Sequence, residues 1–244
     1  MKEKQALLKD WIRCSNNIVF FGGAGVSTAS GIPDFRSAHG LYSGKQGHKY
    51  EEMLSSNFFH NNPDEFWRFY RSVMLYPAAK PNPAHYALYQ LEKIGKLSAI
   101  VTQNIDGLHQ AAGSKRVIEL HGTEQYNHCV QCGKIYTLSA LDSLAQTPYC
   151  SCGGLIKPNI VLYGEALDEN VVENAISQIE NCDLLIVGGT SLAVQPAASF
   201  IEYRRPQAKL VLINHEATAY DVEADLIIRE SIADVMWQAI DTEN

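Results

Sequence analysis

The sequence predicts an α/β protein with a doubly wound, Rossmann-like parallel sheet and a smaller domain built from insertions. Two observations support this fold class. Short, fully apolar runs recur along the chain, and each precedes a loop and a helical pattern, as in strands that helices cover on both faces. Two stretches break the alternation: one is aromatic and helical, and the other holds four cysteines.

Five apolar runs are the candidate strands, and a terminal helix is expected from about Ile232. The runs span residues 17–21, 97–104, 183–190, 209–214 and 224–229. Ligands of doubly wound sheets bind at the carboxyl ends of the strands. Residues that directly follow these runs are therefore the first candidates for a functional site.

Composition and charge narrow the class of protein. The chain has 244 residues, of which 46% are hydrophobic and 19% charged, so it can bury a sizeable core. Its net charge of -7 opposes non-specific binding to nucleic acid. The same charge is compatible with a basic, lysine-rich protein partner. Neither an export signal nor a membrane-spanning run is expected, and six cysteines without such a signal indicate a reducing cytoplasm.

Four cysteines have the spacing of a metal site. Two residues separate Cys129 from Cys132, and one separates Cys150 from Cys152. Two close pairs predict a four-sulfur structural zinc site with no coordination position open to substrate, although reduced core cysteines and a redox pair remain alternatives. We expect a sheet domain of residues 1–37, 91–121 and 159–244. The helical insertion 38–90 and the zinc-ribbon insertion 122–158 would form the small domain.

A glycine turn follows the first strand. Gly23 and Gly25 match part of the dinucleotide fingerprint G-x-G-x-x-G, but its last glycine is missing, and no acidic residue ends an obvious second strand. A hydride-transfer enzyme is therefore disfavoured, and a plain structural turn stays open. A loop follows that carries Asp34, Phe35 and Arg36. On a loop above a nucleotide, an aromatic ring can cover the ligand and a guanidinium can bind phosphate. The alternative is that Asp34 only caps the loop and that Phe35 and Arg36 are exposed.

Polar residues cluster after the other strands and after a further short apolar run, residues 116–120. They include amide, hydroxyl and carboxylate groups suited to ribose and carboxamide, and an imidazole suited to general base catalysis. A closing turn, a packed histidine and helix capping by Ser or Thr are the structural alternatives. The residues are Gln103, Asn104, Asp106, His121, Thr190, Ser191 and Asn214.

Five blocks, in order along the chain, resemble the signature motifs of the sirtuins. They are "GAGVSTASGIPDFRS", "TQNIDGLH", "HG", "PNIVLYGE" and "GTSLAVQPA", spread between about Gly22 and Asn214. The family consists of NAD-dependent protein-lysine deacylases. The resemblance implies that NAD is broken at its nicotinamide–ribose bond, and that nicotinamide, O-acyl-ADP-ribose and free lysine are the products.

The resemblance also implies roles for single residues. His121 and Asn104 are the expected catalytic residues, Asn104 and Asp106 flank the reacting ribose and nicotinamide, and Phe35 and Ile105 line the nicotinamide pocket. The full NAD-binding set is Gly23, Ala24, Gly25, Thr28, Asp34, Phe35, Arg36, Gln103, Asn104, Ile105, Asp106, His121, Gly189, Thr190, Ser191, Asn214 and Ile232. The expected peptide-binding edges are Val161, Tyr163, Gly164, Glu165, Ala193 and Val194. The second cysteine pair is one residue shorter than is usual in the family.

Family members that prefer succinyl or malonyl groups carry a Tyr-x-x-Arg pair in the acyl pocket. Here Tyr70 is followed by Val73 at the arginine position, and Arg71 points about 200° away from Val73 on an α-helix. The pocket is thus expected to favour neutral acyl groups, with Tyr70 lining it. The alternative is that Tyr70 and Val73 only pack their helix against the core.

The expected partners are acyl-lysine proteins or peptides, with no specific nucleic acid and no membrane. Two other functions remain open: an NAD glycohydrolase or mono-ADP-ribosyltransferase on the same fold, and a zinc-ribbon module that binds nucleic acid. The acidic charge disfavours the second of these.

Overall fold

The structure, a computed structural model, describes residues 2–38, 40–43, 47–141 and 146–240. Within these ranges the helices are α1 (Lys2–Cys14), α2 (Gly47–Met53), α3 (Ser56–Asn61), α4 (Pro63–Phe69), α5 (Pro83–Lys93), α6 (Leu108–Ala111), α7 (Leu138–Leu141), α8 (Glu169–Asn181) and α9 (Ile232–Ala239). The strands are β1 (Ile18–Gly22), β2 (Leu97–Thr102), β3 (Val117–Glu119), β4 (Gly122–Cys129), β5 (Ile135–Thr137), β6 (Ile156–Ile160), β7 (Leu184–Gly188), β8 (Lys209–Ile213) and β9 (Leu226–Ile228). None of the helices in the described ranges combines the length and apolar character that a membrane span requires.

Six strands form one parallel sheet in the order β3-β2-β1-β7-β8-β9. The strand order reverses between β1 and β7, which is the doubly wound arrangement with its ligand crevice at that switch point. Every residue of β1 and β7 is buried, and this explains why their sequences are apolar without alternation. The predicted fold class, the five predicted strands and the terminal helix are confirmed.

Helices cover both faces of the parallel sheet. Side chains of α1, α5 and α9 pack on one face, and those of α8 and the 3-10 helix Ala197–Tyr203 pack on the other. The predicted helical insertion 38–90 included α5, yet the buried residues of α5 belong to the first of these layers. The division into two domains stays a prediction, and the packing moves the end of that insertion to before α5.

A second, antiparallel sheet has the strand order β5-β4-β6. It shares a hydrophobic core with α2, α3 and α4. We call this shared core the insertion cluster. Its buried residues are Met53, Leu54, Phe59, Phe66, Trp67, Phe69, Tyr70, Cys129, Leu141, Cys150, Ile156, Ile160 and Leu162. The indole N–H of Trp67 donates to the Ile156 carbonyl at 3.1 Å and ties α4 to β6. The helical and the cysteine-containing segments thus share one core.

Candidate active site

A cavity of about 400 Å³ lies where the carboxyl ends of the parallel strands meet the insertion cluster. Its wall includes the predicted catalytic residues His121 and Asn104. All predicted NAD-binding and peptide-binding residues line it, except Gly23, Ala193 and Tyr70. Residues that are far apart in the sequence therefore converge on one site.

Two glycine turns pack against each other at the switch point. The N–H of Gly25 donates to the Gly189 carbonyl at 2.8 Å, and a Cβ on Gly25 would lie 2.8 Å from the Gly189 Cα. Gly189 has φ +60°, a conformation that favours glycine. A Cβ on Gly23 would lie 2.7 Å from the Thr190 Cβ, so Gly23 serves close packing. This differs from the predicted ligand contact of Gly23.

Ser27 joins the polar residues that follow β2. Asn104 Nδ2 donates to Ser27 Oγ at 3.1 Å, and Ser27 Oγ donates to Asp106 Oδ2 at 2.6 Å. The N–H of Leu108 donates to the other carboxylate oxygen of Asp106 at 2.9 Å. Ser27 also lines the cavity. Sequence reasoning did not select Ser27, although it lies in the glycine turn with its hydroxyl at a strand end.

The His121 imidazole has a fixed orientation. Its Nδ1 lies 3.0 Å from the Gln103 carbonyl oxygen, and since a carbonyl only accepts, Nδ1 carries the proton and donates. Nε2 is then the unprotonated nitrogen. Burial lowers the pKa of His121, while the hydrogen bond to Gln103 raises it by less. His121 therefore has the tautomer and charge that a general base requires near neutral pH.

Two buried amide groups have unused donors at this site. Gln103 Oε1 accepts from Thr190 Oγ1 at 3.3 Å, and Asn214 Oδ1 accepts from the Thr190 N–H at 3.0 Å. Among the described residues, Gln103 Nε2 and Asn214 Nδ2 are buried without a partner. An unpaired buried donor costs about 1–3 kcal/mol, so these amides suit a ligand rich in hydroxyl and phosphate oxygens. The wall of the cavity thus fits the predicted NAD.

The loop after the glycine turn is held by local contacts. Asp34 Oδ1 accepts from the Ser37 N–H at 2.9 Å, so Asp34 does cap this loop as well as line the cavity. The Phe35 ring lies 5.2 Å from the Tyr42 ring, and the Arg36 guanidinium lies 5.6 Å from the same ring. Ligand contacts of Phe35 and Arg36 stay predictions.

The predicted peptide edge around Tyr163 is already partly used. The Tyr163 N–H donates to the Leu54 carbonyl at 3.0 Å, and its carbonyl accepts from the Ser56 N–H at 2.9 Å. The Glu165 carboxylate accepts from Lys157 Nζ at 2.9 Å and from Ser56 Oγ at 3.1 Å. Glu165 therefore braces the loop, and Tyr163 offers only its side chain to a peptide. Ala193 is exposed outside the cavity, which disagrees with its predicted peptide contact.

Tyr70 does not line the cavity, because its ring is fully buried in the insertion cluster and stacks on Phe66 at 5.7 Å. The packing alternative thus holds for Tyr70, whereas Val73 does line the cavity. Tyr70–Met74 is a π-helical turn, so the α-helical angle expected between Arg71 and Val73 does not apply. Arg71 still points away from the cavity, as predicted, and its guanidinium lies 5.1 Å from the Trp67 ring.

The four predicted metal ligands come together. Their sulfur atoms lie within 4.8 Å of one another, with Cys129–Cys152 at 3.5 Å and Cys132–Cys150 at 3.6 Å. Tetrahedral zinc with Zn–S bonds of about 2.3 Å requires sulfur separations of roughly 3.8 Å. The donor set fits structural zinc. The shorter spacing between Cys150 and Cys152 does not prevent their sulfur atoms from joining those of the first pair.

Comparisons with known proteins agree with this geometry. The Sir2 family model matches residues 23–196. The NAD-dependent protein deacetylase of Clostridium perfringens (strain 13 / Type A) is 52% identical over 244 residues, which cover 99% of this chain and 100% of that protein. A solved Sir2–p53 peptide–NAD+ complex has a TM-score of 0.85 at 40% identity, over 97% of this chain and 96% of its own.

A second solved structure is that of a Sir2 protein bound to a propionylated peptide. It has a TM-score of 0.85 at 39% identity and covers 97% of this chain and 96% of its own. The family model covers most of the chain, and the Clostridium relative exceeds half identity over its whole length. This chain therefore belongs to the Sir2 family of NAD-dependent protein deacetylases.

Proposed function

We propose that this protein removes acetyl and other neutral acyl groups from lysine side chains, with NAD as co-substrate. NAD and one water are consumed, and the products are nicotinamide, O-acyl-ADP-ribose and the free lysine. One observation carries the proposal: the oriented His121 imidazole and the network of Asn104, Ser27 and Asp106 line one cavity at the sheet switch point. Membership of the Sir2 family supports it.

Each residue of the site has a proposed task. Bound NAD supplies the ribose carbon from which nicotinamide leaves. Gln103 Nε2 and Asn214 Nδ2 donate to ribose or phosphate oxygens and so gain the partners they lack. Ser27 fixes Asn104 and Asp106 beside the reacting ribose. His121 Nε2 takes the proton of a ribose hydroxyl, which prepares that oxygen to attack the acyl carbon.

The proposed substrate is an acyl-lysine in an extended protein segment. The p53 peptide and the propionylated peptide bound by the solved Sir2 proteins support this choice. Val161, Tyr163, Gly164 and Val194 supply the contacts, with Tyr163 acting through its side chain. We further propose a cytoplasmic location, because the four cysteines must stay reduced to hold zinc.

Product analysis tests the proposal. An acetyl-lysine peptide is incubated with the protein, with and without NAD, and the mixture is analysed by mass spectrometry. We expect deacetylated peptide and O-acetyl-ADP-ribose in equal amounts, only when NAD is present. Free ADP-ribose with intact peptide would indicate a glycohydrolase, and a gain of ADP-ribose on protein would indicate a transferase. Either result contradicts deacylation.

On the acid side, activity is expected to be lost at a pH below the ordinary pKa of histidine. The base works as neutral imidazole, so activity falls as the pH drops through the pKa of His121. Burial lowers that pKa, which moves the loss below about pH 6.5. Glu124 also lines the cavity, with a pKa raised to about 7 by burial and by nearby Asp106. The profile of kcat/KM is therefore measured in the wild type and in Glu124→Gln, and a midpoint above 7 in both contradicts the assignment.

Acetyl-lysine is expected to be deacylated at least about a hundredfold better than succinyl-lysine. Val73 provides no cation for a succinyl carboxylate, and Arg71 is held by Trp67 and by the Gln146 carbonyl at 3.0 Å. Burying an unpaired carboxylate costs several kcal/mol, and roughly 2.7 kcal/mol already gives that ratio. The measurement is kcat/KM on one peptide with each acyl group. Val73→Arg should narrow the ratio, whereas comparable wild-type values would refute the pocket assignment.

A further inference from the structure

Glu124 is a buried acid that the proposed chemistry does not use. It lies on β4, three residues after His121, is 8% exposed and lines the cavity. Its N–H donates to the Ile105 carbonyl at 3.0 Å, which fixes it beside the predicted nicotinamide wall. Its carboxyl group accepts no hydrogen bond from the residues that the structure describes. A buried acid without a partner suits a ligand that supplies one.

Glu124 shares the cavity wall with apolar side chains. Ile105, Val73 and Met74 line the same cavity. The hydroxyl of Tyr70 is buried without a hydrogen-bond partner among the described residues. Burial and the negative charge of Glu124 both raise the pKa of Tyr70, which places the phenol within electrostatic range of the carboxyl group. Glu124 is thus the acid of the cavity wall that faces the buried, unpartnered hydroxyl of Tyr70 behind that wall.

The negative charge of Asp106 raises the pKa of Glu124, after the larger effect of burial. The Glu124 carboxyl group can accept a hydrogen bond in either protonation state. A hydroxyl group of the ligand would donate this hydrogen bond at little free-energy cost. A ligand carboxylate at Glu124 would instead meet the like charges of Glu124 and Asp106.

We propose that Glu124 is a specificity-determining residue, which makes the site prefer acyl-lysines with a hydroxyl group on the acyl chain and reject those with a carboxylate. The inference rests on the proposed deacylation, because it concerns the acyl group of the same substrate. It assigns to Glu124 a direct hydrogen bond with the acyl chain. The substrate class is hydroxyacyl-lysine.

The test compares acyl groups that differ by one hydroxyl. The kcat/KM values are measured for 3-hydroxybutyryl-lysine and butyryl-lysine in the same peptide. A hydrogen bond to a charged group is worth about tenfold or more, so we expect a wild-type ratio of about ten. Glu124→Leu should bring the ratio close to one, while Glu124→Gln, whose amide oxygen still accepts, should keep most of it. Glu124→Gln should also raise the ratio of succinyl to butyryl activity.

Matched variants distinguish a hydrogen bond from Glu124 to the acyl chain from a general effect on the site. Glu119 is a half-buried acid that does not line the cavity, so Glu119→Gln should leave the hydroxybutyryl ratio unchanged. If Glu124→Leu does not fold, Glu124→Asp, which withdraws the carboxyl group by one methylene, replaces it and should lower the ratio. A ratio near one in the wild type, or an unchanged ratio in folded Glu124 variants, overturns the inference. If Glu124 serves nicotinamide instead, the variants shift nicotinamide inhibition and all acyl peptides equally, which also overturns it. Absence of all deacylation in the wild type overturns the proposed function itself.

Discussion

Replacing His121 with alanine is expected to lower the kcat of deacylation by about two to four orders of magnitude, the range for a lost general base. His121 Nδ1 is bound to the Gln103 carbonyl, so its Nε2 is held as the free base at the cavity. The alanine variant removes this base without removing a core side chain, because the imidazole is partly exposed. Turnover of an acetyl-lysine peptide is the measurement.

His215 provides the matched control, since it is another histidine of the same cavity. His215→Ala should retain deacylation within a few fold, and both variants should keep the melting temperature of the wild type within a few degrees. NAD binding, measured by calorimetry, should persist in His121→Ala. If that variant turns over at the wild-type rate, His121 is not the base.

The parallel sheet could be predicted because burial on both faces leaves an unambiguous trace in sequence. Each of β1, β7 and β8 is a continuous apolar run bounded by polar or glycine residues, and the predicted bounds of all three agree with the structure within one or two residues. Residues at the ends of such strands converge whatever the loops do. This is why the sequence alone could place Asn104, His121 and Asn214 at one site.

Side-chain direction in the insertion cluster could not be predicted. Tyr70 was expected in the cavity wall and is instead buried in the cluster, whereas Arg71 does point away from Val73, as predicted, although the turn is π-helical. Ala193 follows Leu192, a non-glycine residue with φ 51°, and this backbone turn has no clear signal in the sequence. Glu124 and Ser27 were missed for a different reason. Their burial beside the cavity depends on contacts between segments distant in sequence.

Removing the metal is expected to lower the melting temperature by at least about 10 °C and to abolish activity. Cys129 and Cys150 are themselves part of the insertion cluster, together with Trp67 and Ile156. Structural zinc contributes several kcal/mol or more to folding, and each kcal/mol moves the melting temperature of a chain of this size by about 2–4 °C. The insertion cluster also supplies Leu54, Ile160 and Leu162 to the cavity wall, so its loosening removes the substrate site.

Cys129→Ser should reproduce the effect of a chelator, whereas Cys14→Ser, at an exposed cysteine outside the cluster, should leave melting temperature and activity unchanged. Adding zinc back should restore the chelated wild type and should not restore Cys129→Ser, because three sulfurs and a hydroxyl bind zinc more weakly than four sulfurs. The metal content of each sample is measured by mass spectrometry alongside thermal melting. Since four sulfurs leave no coordination position for substrate, activity should follow the folded fraction of the protein at every metal content. Metal-free protein that melts and deacylates like the wild type would contradict the structural role, and loss of activity in protein that stays fully folded would point to a catalytic one.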